Sequence, residues 1–127
     1  MTTETFYDQV GGHDTFRRLA QHFYTGVAGD PELRALYPED DLGPAEMRFR
    51  MFMEQYWGGP ATYSQDRGHP RLRMRHAPFK VTITQRDRWL KHMMAAVESL
   101  DLAQENDLIL RDYFDRAAQS LVNSLEE

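Results

Sequence analysis

Between Ala61 and Val81 the sequence loses all periodicity, and that gap limits what the rest of the chain can become. An irregular stretch of such length is unusual inside a compact domain unless it borders a function. The segments on either side recur with helical spacing, so the chain reads as all-α, with one long insert between its third and fourth major helices. Positive charge collects in the same insert. Arg67, Arg71, Arg73, Arg75 and Lys80 occur with no carboxylate among them, in a chain whose formal net charge is -5. A bound anion would account for that. The insert also holds His69, in a Gly-His-Pro turn, and His76, which Ala77 and Pro78 stop. Residues just before proline leave helical space, which puts His76 in the last turn of any short helix there. Flanked by arginines and followed by Phe79, it is a candidate metal ligand.

The 127 residues are enough for one domain, 1–127, with a core of its own and one site. An acidic balance argues against general nucleic-acid affinity, which usually shows as a basic face. With no cysteine, disulfides, zinc-thiolate sites and thiol nucleophiles are excluded. No apolar run reaches the roughly 20 residues that span a bilayer, and Met1-Thr-Thr-Glu-Thr lacks a signal peptide's basic start and apolar centre. The expectation is a cytoplasmic protein that binds neither nucleic acid nor membrane.

Along the chain, Phe6 to Gly12 reads as a short amphipathic lead ended by two glycines. Phe16, Leu19, Ala20, Phe23, Tyr24 and Val27 then form one helical face behind Asp14. Asp30 and Pro31 cap and open a short helical turn that ends at Tyr37-Pro38, which places Tyr37 at a corner. From Pro44 a helix carries Ala45, Phe49, Phe52, Met53 and Tyr56 on one face, and Gly58-Gly-Pro60 stops it. Lys80 to Ile83 reads as a brief extended piece. Thr84 to Asp87 resembles a capping box for a long helix with Trp89, Leu90, Met93, Ala96, Val97 and Leu100 inside. A final helix is expected to bury Leu108, Ile109, Tyr113, Ala117, Leu121 and Val122.

Tyr24, Tyr37 and Trp89 are hydroxyl or indole donors on apolar faces or at a corner. Taken singly, each is most simply explained as packing: a buried Trp alone removes 150–250 Å² from water, worth roughly 4–6 kcal/mol as an upper bound. Together with the arginines and His76, they make a set suited to an anionic ligand and a metal-held oxygen species.

The blocks Phe23-Tyr24, Leu36-Tyr37-Pro-Glu-Asp-Asp-Leu42, Glu54-Gln-Tyr-Trp-Gly-Gly-Pro60, Arg67 to Phe79 and Trp89 closely resemble the group II truncated haemoglobins of bacteria, over nearly the whole chain. The resemblance implies a truncated globin, a two-over-two helical sandwich around haem b, with His76 as the iron's proximal ligand. It implies Tyr24, Tyr37 and Trp89 as distal donors, since an oxygen ligand that gains negative charge is held by preplaced O–H and N–H groups in a dry pocket. Ala45 stands where many globins have a distal histidine. Phe49, one turn on, is expected to face the haem and to be bulkier than the usual aliphatic residue. Phe52, Tyr56, Phe79 and Met93 are candidate packing residues. Arg48, Tyr63, Arg67 and Arg75 are candidates for the two propionates, with Arg71 and Arg73 solvated or structural. The ligands implied are oxygen, nitric oxide, carbon monoxide or peroxide. Strong stabilisation suits redox chemistry, nitric oxide dioxygenase-like or peroxidase-like, with a separate reductase as electron donor. The alternative is a carrier, store or sensor without turnover. Self-association stays open.

Overall fold

The computed structural model describes residues 4–60 and 81–121. Among these residues the chain is helical and contains no strand. The first helix, α1 (Phe6–Gln9), starts from a reciprocal capping box in which the Thr5 hydroxyl accepts from the Asp8 amide and the Asp8 carboxylate accepts from the Thr5 amide. Gly11 and Gly12 follow with φ of 110° and 67°, a region closed to most side chains, and this turns the chain at once into α2 (His13–Ala28). All six apolar residues expected on the face of α2 are buried, and Thr15 joins them.

Asp30 caps α3 (Pro31–Arg34), its carboxylate accepting from the Leu33 amide. After an irregular corner, α4 (Gly43–Tyr56) buries Ala45, Phe52, Met53 and Glu54 and leaves Phe49 half-buried. Tyr56 departs from expectation: it is 53% exposed, because it stands at the open end of the helix.

The next helix, α5 (Ile83–Ser99), corrects two sequence expectations. Its N-cap is Thr82, paired with Gln85, in place of Thr84 with Asp87, and Ile83 is already helical, so 81–83 form no strand. Burial decides between the two overlapping Thr motifs, since Val81 and Thr82 are inside while Ile83 and Thr84 are exposed.

The last helix, α6 (Gln104–Leu121), is rotated from its expected face. Leu110, Phe114 and Ala118 are buried, whereas Leu108 and Ile109 are 56% and 42% exposed. Two adjacent apolar rows run along this helix, Leu110-Phe114-Ala118 and Ile109-Tyr113-Ala117. The row without a hydroxyl goes inside, where Phe114 meets Phe49 and Trp89. Val122 lies outside the described residues.

Helix α2 packs on α4, α5 packs on α6, and an extensive α2–α5 contact joins the two pairs. The result is a two-over-two sandwich. Gly26 permits the close α2–α5 approach, because a Cβ there would lie 2.5 Å from His92 Nδ1. The core between the layers is Phe16, Leu19, Phe23, Val27, Met93, Val97, Leu110 and Phe114, each at most 1% exposed. Truncating a leucine or phenylalanine of this set to alanine is expected to cost about 2–5 kcal/mol.

Candidate functional site

Three elements bring the sequence-identified donors together. Tyr24 projects from the middle of α2, Tyr37 from the corner after α3, and Trp89 from the second turn of α5. The Tyr24 and Tyr37 rings meet edge to face with centroids 5.6 Å apart. Tyr24 and Trp89 both come close enough to the Tyr37 phenol to influence its ionisation, so that phenol is the meeting point of the set.

Electrostatics keep these groups protonated. Loss of hydration raises Tyr37 to about 12, against the lowering effect of its neighbours Tyr24 and Trp89. Tyr24 is pushed well above its ordinary value by burial first, then by the neighbouring Tyr37. At neutral pH both are phenols, hence donors.

An aromatic cage holds the trio. Phe23 packs edge on against Tyr24 at 5.0 Å and against Trp89 at 5.6 Å. Phe49 reaches in from α4 to Phe23 at 5.8 Å, Tyr24 at 6.0 Å and Phe114 at 6.4 Å. Ala45, one turn before Phe49 on α4, is buried and offers no polar group. Phe52 is buried on α4, and its ring stacks toward Tyr56 at 6.4 Å. Met93 is wholly enclosed by the chain's own side chains, as part of the core beneath α5. Arg48 pairs with Glu39 at 2.6 Å, across from the corner to α4. His76, Tyr63, Arg67, Arg75 and Phe79 lie outside the described residues.

Sequence reasoning overlooked the residues that fix the corner. Arg34 donates to the carbonyls of Tyr37 at 2.7 Å, Glu39 at 2.5 Å and Asp40 at 3.1 Å. At the other end of α3, Asp30 accepts from Arg88 Nη1 at 3.1 Å and lies 3.0 Å from His92 Nε2, both on α5. An arginine one turn ahead of an irregular, proline-bearing corner was the only available signal, because the partners are backbone carbonyls.

Residues 5–123 match the bacterial-like globin family. The sequence is 35% identical over 120 residues to the group 2 truncated hemoglobin YjbI of Bacillus subtilis, covering 94% of this chain and 89% of that protein. Among solved structures, a thermostable hemoglobin from Thermobifida fusca superposes with a TM-score of 0.94 at 58% identity, covering 97% of this chain and 100% of that one. The group II truncated hemoglobin of Bacillus anthracis superposes at 0.91 with 31% identity, covering 100% and 97%.

The chain belongs to the bacterial-like globin family, as a group II truncated haemoglobin of the two-over-two fold. Haem-based binding of a small gaseous ligand follows from that membership. The described residues fit such a group. Phe49 is left half-buried on the inner side of α4, the surrounding rings are apolar, and the half-buried Tyr37 phenol stands beside Tyr24 among them.

Proposed function

We propose that this chain holds haem b, with His76 as the iron's protein ligand, and uses Tyr37, Tyr24 and Trp89 to retain an oxygen-type ligand for redox chemistry. Haem, when bound, would supply an iron able to take a small gaseous molecule. Everything else is done by side chains. Tyr37, kept protonated at neutral pH, would donate its O–H to a ligand that gains negative charge, with Tyr24 and Trp89 beside it as further donors. Phe23, Phe49 and Phe114 keep water from competing for the same donor. Phe49, Phe52 and Phe79, with Met93 behind them, pack the macrocycle, while Arg48, Tyr63, Arg67 and Arg75 meet the propionates. Each surface pair of that kind contributes at most about 1 kcal/mol, so affinity rests on apolar burial and on His76.

The observation that carries the reading is that Tyr24 and Trp89, from two different helices, meet at Tyr37, with the Tyr24 and Tyr37 rings 5.6 Å apart. A ligand held by such a network leaves slowly, which suits reaction with nitric oxide or peroxide better than bulk delivery. The electron donor is then a separate protein. The test is a haem titration of wild type and His76→Ala, followed by mixing the loaded, oxygen-saturated protein with nitric oxide. The expected result is a one-to-one Soret band that His76→Ala alters, and rapid nitrate formation that cycles when a reductant is present. No saturable binding would remove the haem reading. Slow nitric oxide reaction with intact binding would replace the redox role with a carrier, store or sensor.

A further inference from the structure

We infer that Arg34 is the positioning residue for Tyr37, a guanidinium clamp that sets where the distal hydroxyl lies. The inference rests on the reading of Tyr37 as a ligand donor. Tyr37 is carried by residues 37–42, which contain no helix, and Pro38 cannot donate a main-chain bond. Nothing regular in the backbone therefore holds this corner. Arg34 does so from both sides of Tyr37. Its own carbonyl accepts from the Tyr37 amide at 3.0 Å, and its Nη1 donates to the Tyr37 carbonyl at 2.7 Å.

The second nitrogen, Nη2, extends the clamp along the corner to the carbonyls of Glu39 and Asp40. Glu39, placed by that bond, accepts from Arg48 of α4 at 2.6 Å, so the clamp also ties the corner to the helix that carries Phe49. The start of α3 is anchored independently, through Asp30 to Arg88 and His92 on α5, the helix that brings Trp89. The two anchored ends fix the backbone from which the Tyr37 side chain projects. A planar fork can hold three carbonyls in fixed directions, which an ammonium on a flexible stem cannot, so arginine here is not exchangeable for lysine.

The experiment uses haem-loaded protein and two readouts: the oxygen release rate by stopped flow and the vibrational frequency of bound carbon monoxide, which reports the donor's hydrogen bond. Wild type, Arg34→Met, Arg34→Lys, Tyr37→Phe and the Arg34→Met/Tyr37→Phe double variant are compared. Tyr37→Phe is expected to speed release by about tenfold or more, the scale of one lost hydrogen bond to a charged group. Arg34→Met is expected to reach about five- to tenfold with a frequency shift in the same direction, Arg34→Lys to restore little of it, and the double variant to match Tyr37→Phe.

A silent Arg34→Met beside an active Tyr37→Phe would overturn the clamp and leave the distal reading intact. An Arg34→Met effect of the same size with or without Tyr37→Phe would overturn it too, since Arg34 would then act through the fold at large. If Arg34→Met does not fold, Arg34→Lys decides: wild-type behaviour would mean that charge alone matters, and would sink the clamp. A silent Tyr37→Phe would remove the distal reading itself.

Discussion

The described residues contain two Tyr-Tyr-Trp clusters, and they stand in opposite settings. Tyr24 and Trp89 are buried in the sandwich and come to a half-buried Tyr37 at the corner after α3. Tyr56, Trp57 and Tyr113 pack ring to ring on the outside, between the end of α4 and α6, with centroids 4.7 to 5.4 Å apart. They border a groove of about 570 Å³ that Leu108 and Ile109 complete. There the Trp57 indole nitrogen is buried with no partner among the described residues. The same side-chain types are therefore drawn together from three separate elements in one place, and packed between the end of α4 and α6 in the other.

The largest effect should come from Tyr37→Phe. It removes the hydroxyl at which the buried Tyr24 and Trp89 meet, a loss of about 1–3 kcal/mol. Loss of that order in denaturant unfolding, together with faster ligand release, would sharpen the contrast; unchanged stability would erase it.

Next in size, Trp89→Phe deletes one donor beside Tyr37, a loss of about 0.5–1.5 kcal/mol beyond packing, and removes an interaction that lowers Tyr37. Tyr37 should then titrate at still higher pH in ultraviolet difference spectra. Trp57→Phe makes the same chemical change in the outer cluster, yet it deletes a donor that has no bond to lose among the described residues. Its stability change is expected to stay within about 1 kcal/mol, the lost indole area offsetting the relief of an unmade bond. Equal destabilisation by the two tryptophan changes would break the comparison.

The smallest and broadest prediction concerns alkaline pH. Folded Tyr37 titrates near 12 and unfolded tyrosine near 10, so the unfolded chain releases this proton first. Stability should hold up to the unfolded value and fall as pH rises through the folded one. Burial raises Tyr113 of the outer cluster as well, so Tyr37→Phe should weaken that alkaline loss and not abolish it. An unchanged slope in Tyr37→Phe would show that Tyr37 is not desolvated in the folded chain.

How far this was legible beforehand follows from the range of each interaction. The inner face of α2 was readable because six apolar residues repeat at helical spacing with no rival row. On α6 two rows compete, and only the position of Phe49 and Trp89 across the interface selects Phe114 over Tyr113. Thr82 and Thr84 likewise offered two caps, separable only by what is buried beside them. The donor identities of Tyr24, Tyr37 and Trp89 came from the resemblance, whereas their convergence is a fact of three elements meeting. Glu54 is the plainest case of what local reading misses. A carboxylate 2% exposed contradicts every local rule until His13 at 2.8 Å and Arg50 at 3.0 Å are seen beside it, and His13 lies on α2.

The most direct test of the inner cluster as the ligand-holding site is the oxygen release rate of haem-loaded protein, measured for wild type, Tyr37→Phe and Trp57→Phe in one stopped-flow series. Release about tenfold or more faster in Tyr37→Phe, with Trp57→Phe at the wild-type rate, is the predicted result. Equal rates in all three proteins would contradict it, and would mean that the tyrosine and tryptophan gathered at Tyr37 serve only to pack the fold.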